Sequence, residues 1–195
     1  MNPWSLVAGF VPVIAFLIGL RLMDSYKLVH RSSLFMALAS GVGIALVAFF
    51  VNSALLGFGH LPDSVLRAWV APLIEELLKA AVVAWLIHTD RVGFVVDAAV
   101  FGFAVGAGFA LAENVYYAGA LHDFSLALWL VRGLGTAVMH GSTTALFATI
   151  GKALSDRGAG VLALAPGFAV AVIVHATFNQ ISASPFVTTA MRRSD

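Results

Sequence analysis

Residues 67–87 read RAWVAPLIEELLKAAVVAWLI. A helix needs about 20 mostly apolar residues to cross a bilayer, and this stretch is long and apolar enough. Yet its middle carries Glu75, Glu76 and Lys79. Each ionisable group at the centre of a membrane helix costs about 2.5–3.5 kcal/mol, so three in one span demand partners. Lys79 lies four residues after Glu75 and three after Glu76, on the same helix face, and can neutralise one of them. The two carboxylates point about 100° apart, so one can face a cavity while the other is held elsewhere. Pro72 fits a first-turn position, where it starts or kinks the helix just before the acidic pair.

The rest of the chain is built to match. Of its 195 residues 61% are apolar and 11% charged, with a mean hydropathy of +0.96. A soluble domain carries about 25% charged residues. Such a composition excludes a soluble globule and a disordered chain, and a net charge of +1 leaves no basic footprint for nucleic acid. No cysteine is present, which removes disulfides, thiolate metal sites and a cysteine nucleophile. Six stretches qualify as spans: Trp4–Leu22, Leu34–Leu56, Arg67–Ile87, Val92–Ala118, Leu126–Leu154 and Gly160–Ile181. The first has neither a basic flank before it nor a small-residue cleavage site after it, and reads as a retained helix. Continuous apolar runs without period-2 alternation favour helices over a β-barrel. The expected fold is all-α: a polytopic membrane helix bundle of about six helices, one domain over residues 1–195 with no internal repeat. Gly102, Gly106 and the small residues up to Ala112 suit close helix packing.

Basic residues near span ends set orientation. Arg21, Lys27, Arg31, Arg91, Lys152 and Arg157 fall on one side, which reads as cytoplasmic, against Arg67, Arg192 and Arg193 on the other. The expected location is a cell membrane, with the N-terminus extracytoplasmic. Trp4, Trp69, Trp85 and Trp129, near span ends, read as interfacial anchors, and His30, His60, His88 and His122 as solvated loop residues.

On that orientation the intramembrane polar groups converge. Glu75 and Glu76 lie early in an inward-running span, and Glu113, His175 and Asn179 lie late in outward-running ones. His140 is about 20 Å in from Leu126 by helical rise. Four helices thus bring polar groups to the outer half or the midplane. Together Glu75, Glu76, Lys79, Glu113 and Arg132 would cost on the order of 10 kcal/mol unpaired, so they must face one another or water. His175 and Asn179, at i and i+4, share one face. A shielded carboxylate can act as general base on water, and a histidine beside an amide can orient a substrate or stabilise an oxyanion. Alternatively, histidines with one or two carboxylates make a first shell for a divalent metal such as zinc. No H-E-x-x-H, no G-x-S-x-G and no pair of intramembrane aspartates offers another hydrolase design.

Here the residues resemble a known family. Glu75-Glu76-Leu77-Leu78-Lys79 looks like the E-E-x-x-K signature of the PrsW intramembrane proteases. The stretch Asp97–Tyr116, containing Glu113 and Asn114, is similar to that family's second motif, Arg132 with His140 to its third, and His175-Ala-Thr-Phe-Asn179 to its H-x-x-x-N fourth. The motifs span about residues 67–181 in order. The resemblance extends to the wider superfamily of CAAX and bacteriocin-processing proteases, whose prenyl-protein branch carries a histidine where this chain has Glu113. It implies an endopeptidase that cuts a single-span membrane protein, such as an anti-sigma factor, near its extracytoplasmic side.

Glu75 or Glu76 is then the expected general base, with His175, Asn179, Glu113 and His140 completing the catalytic set. Glu76, Glu113, His140 and His175 are the candidate ligands should a metal be used. Lys79, Asn114, Arg132 and Asp97 read as supporting residues, Asp97 by favouring the N-terminal end of its helix. The competing reading is a proton- or cation-coupled transporter using the same carboxylates as a relay. It is disfavoured by the absence of inverted repeats and paired broken helices.

Overall fold

The computed structural model describes residues 3–23, 30–59, 61–120 and 131–184. The expected positions His60, His122, Trp129, Lys27, Arg192 and Arg193 lie outside the described residues, as do the side chains of Trp4, Arg21 and Arg132. Among the described residues are six long helices: α1 (Pro3–Met23), α2 (Arg31–Phe58), α3 (Ala71–His88), α4 (Val95–Ala120), α5 (Ala137–Ser155) and α6 (Ala165–Ser182). No strand occurs among the described residues. The protein is a helical membrane bundle. Segments Arg31–Phe58, Val95–Gly119 and Leu162–Ser182 are each long and apolar enough to cross a bilayer.

The ends depart from the expected spans for local reasons. A helical turn at Asp63–Val65 and a π-helical turn at Leu66–Val70 lead into α3, and Pro72 sits in its first turn as expected. A second π-helical turn, Val131–Thr136, leads into α5 at Ala137; the expected start at Leu126 lies outside the described residues. Before α4, the Phe94 N–H donates to Asp97 Oδ2 at 3.0 Å, which places Asp97 in the first turn.

Helix α4 is the axis of the bundle because its side chains are small. Of its residues 100–110 every one is buried. A Cβ on Gly106 would run into the His140 carbonyl oxygen of α5, and one on Gly108 into the Leu38 carbonyl oxygen of α2. Gly41 of α2 meets the Val105 carbonyl oxygen of α4 in the same way. Glycine is what lets these backbones touch. The reverse fit also occurs: the Phe103 ring fills the space over Gly141 and stacks on Phe16 of α1 at 5.8 Å.

Helix α3 closes the ring, packing against α2, α4, α5 and α6. Its buried residues Pro72, Glu76, Lys79, Val83 and Leu86 recur at three- and four-residue steps, which puts them on one inward face. Leu73, Leu77 and Trp85 point outward and are exposed, as lipid-facing residues are. Two of the most polar side chains on the helix are therefore aimed at the bundle interior.

Gly106→Ala should destabilise the bundle by about 1–3 kcal/mol through overpacking. Gly43→Ala, where nothing lies within 4 Å, should be neutral or mildly stabilising. Thermal unfolding of the two variants in detergent checks the contrast.

Candidate active site

Glu76 is 2% exposed, so its carboxylate must find donors inside the protein. Oε1 accepts from Lys79 Nζ at 2.6 Å, from Thr143 Oγ1 at 3.2 Å and from His175 Nδ1 at 2.8 Å. These donors come from α3, α5 and α6. A carboxylate only accepts, so Nδ1 of His175 carries the proton and Nε2 is left as a lone pair. Lys79, wholly buried, also donates to His140 Nδ1 at 3.0 Å and lies 4.6 Å from the Phe109 ring centre. An ammonium has no acceptor, so His140 accepts at Nδ1 and carries its proton at Nε2, which donates to Glu113 Oε2 at 2.8 Å.

A hydrogen-bonded relay thus runs from Glu113 through His140, Lys79 and Glu76 to His175. It stops there. His175 Nε2 is 3.8 Å from Glu75 Oε2, too far for a hydrogen bond. Glu75 is in turn held from the other side, where Asn52 Nδ2 of α2 donates to Oε1 at 3.3 Å. The Glu75 side chain is 16% exposed and Glu113 is 25% exposed, against 2% for Glu76. The two adjacent glutamates therefore differ in setting: Glu76 is locked in the protein, and Glu75 borders open space.

The gap is also where metal-ligating atoms gather. Glu75, His140 and His175 each offer one such atom, all within 4.8 Å of one another. Two histidines and a glutamate are a donor set suited to a catalytic zinc, which leaves one position for water. The Glu76–His175 hydrogen bond is the carboxylate support that histidine ligands usually have. The donors fit a divalent metal once His140, whose two nitrogens are bonded to Lys79 and Glu113, gives up one of those bonds. The expected ligand set named Glu76 and Glu113 beside the two histidines; the atoms that gather here are those of Glu75 and the two histidines, while Glu76 Oε1 accepts from three donors.

Asn179 is not in this cluster. Its Nδ2 donates to the Arg67 carbonyl oxygen at 3.1 Å, joining α6 to the π-helical turn before α3. Asn114 is buried on α4, and Asp97 is remote, at the opposite end of that helix. The Arg132 side chain lies outside the described residues. His30 and His88 are exposed, away from the cluster. Sequence reasoning passed over Thr143 and Asn52. A threonine three residues after His140 and an asparagine inside an apolar span were the signals.

A model of the PrsW family intramembrane metalloproteases matches residues 29–191. The chain belongs to that family. It is accordingly a membrane peptidase by family, and the family's description includes a metal. The matched region holds all of α2 to α6, hence every residue of the cluster. Neither the curated proteins nor the solved structures compared with the chain give a match.

Lys79→Met should cost about 3–5 kcal/mol, because it strands a buried carboxylate. Adding Glu76→Gln should recover a large part of that loss, a coupling that denaturant unfolding of both single variants and the double variant measures.

Proposed function

We propose that the chain is a metal-dependent intramembrane endopeptidase centred on Glu75, His140 and His175. The observation that carries this reading is the convergence of their ligand atoms within 4.8 Å, inside a chain of the PrsW family. These three residues would hold a divalent metal such as zinc. When bound, it supplies Lewis acidity that eases deprotonation of water and polarises a carbonyl. Glu76 holds the His175 ring through Nδ1–H, so that Nε2 faces the centre. Lys79 offsets the Glu76 charge and orients His140. Glu113, the most open carboxylate of the cluster, takes the proton from the attacking water and returns it to the amine nitrogen that leaves as the peptide bond breaks. Asn179 acts at a distance, by fixing the start of α3.

The substrate is a membrane protein, and we infer a single-span one, such as an anti-sigma factor, cut near its extracytoplasmic side. The cluster sits towards the end of the bundle where α3 and α5 begin and α4 and α6 finish. Arg31, Arg91, Lys152 and Arg157 flank the other end, which the positive-inside rule assigns to the cytoplasm.

Glu75→Gln, His140→Ala and His175→Ala should each lower cleavage of a co-reconstituted single-span substrate by at least about 100-fold. A chelator should abolish wild-type cleavage and added zinc restore it. Unimpaired cleavage by Glu75→Gln and His175→Ala would sink the assignment. The absence of cysteine makes topology easy to test. In intact cells an impermeant maleimide should label Ser64→Cys and leave Arg157→Cys unlabelled until the membrane is opened.

A further inference from the structure

Asn52 sits near the end of α2, a helix whose other polar residues are Arg31 and four serines. Its contribution to stability is poor. It donates one hydrogen bond, at 3.3 Å, to Glu75 Oε1, while its own buried Oδ1 finds no hydrogen-bond partner among the described residues. An unsatisfied buried acceptor costs about 1–3 kcal/mol, as much as an ordinary hydrogen bond returns or more. A leucine, branched at the same carbon with the same number of heavy atoms, would bury its side chain there without an unsatisfied acceptor. The reason for an amide at this position lies in what it holds. Glu75 is the one member of the Glu75–His140–His175 group supplied by an unbranched, flexible side chain, and it borders open space. With Oε1 tied to α2, Oε2 is kept on the His175 side, 3.8 Å from Nε2.

We propose that Asn52 is the positioning residue for Glu75, fixing its carboxylate towards the two histidines so that the three can hold a divalent metal. The proposal rests on the metal-dependent reading above. It assigns to α2, which carries none of the sequence motifs, a part in the centre.

The test uses the full chain in detergent, with zinc affinity measured by competition with a chromogenic chelator and thermal stability measured without zinc. Asn52→Leu should weaken zinc binding by about 10–100-fold, the usual effect of losing a ligand's supporting hydrogen bond. Its apparent Tm without zinc should stay level or rise, because the orphaned acceptor has gone. Asn52→Gln, which keeps the carboxamide, should recover part of the affinity. Unchanged zinc affinity in Asn52→Leu overturns the proposal, as does a fall in Tm or loss of the folded protein, which would mark Asn52 as a packing residue. Absence of zinc binding by the wild type overturns the metal reading itself, and this proposal with it.

Discussion

The buried Glu76 carboxylate is the interaction on which the rest of the structure turns. Glu76 and Lys79 are both essentially removed from solvent, and their 2.6 Å contact lies inside a membrane bundle. Such a pair is weak support for stability, because desolvating two charges offsets most of their attraction. Its value is geometric. With three donors on one oxygen, Glu76 binds α3 to α5 and α6, and it decides which nitrogen of His175 is protonated. Lys79 does the same for His140. One ion pair therefore sets the tautomers of both histidines, which no arrangement of neutral side chains would do as firmly.

That pair could not form if the helices stood further apart. The approach of α4 to α5 is set by Gly106 beneath the His140 carbonyl, and Gly102 continues the contact one turn away, against Thr144 and Ala148. Thr144 and Thr143 in turn donate to the His140 carbonyl oxygen, at 2.9 and 3.2 Å. Thr143 thus has its hydroxyl shared between its own helix and Glu76. Small residues on α4 and hydroxyls on α5 are two parts of one device: they allow close packing and then satisfy the polar groups that closeness buries.

The sequence made much of this legible, and the limits have physical causes. Helical spacing put Glu75, Glu76 and Lys79 on related faces, and the cost of charge in lipid required that they meet other polar residues. Those inferences need only one helix and a membrane. Which glutamate is locked and which is open depends on donors from other helices, on Thr143 and His175 for Glu76 and on Asn52 for Glu75, so the 100° between them could not decide it. The expected ligand set chose Glu76 for the same reason. The π-helical turns at Leu66–Val70 and Val131–Thr136 were not foreseen, since such turns leave no mark in apolar periodicity.

Asn179 shows how such a turn is resolved. In the π-helical turn the Ala71 N–H reaches back to the Leu66 carbonyl oxygen, an i to i+5 bond. Continuing that register, the donor for the Arg67 carbonyl oxygen would be the N–H of residue 72. That residue is proline and has none. Asn179 Nδ2 donates to that carbonyl oxygen instead, at 3.1 Å, at an exposed position. Pro72 and Asn179, far apart in sequence, are thus complementary: one removes a backbone donor and the other supplies a side-chain donor in its place. Asn179 lies one turn beyond His175, so this bond ties α6 to the segment just before the acidic pair. Asn179 thus joins two elements beside the cluster without belonging to it.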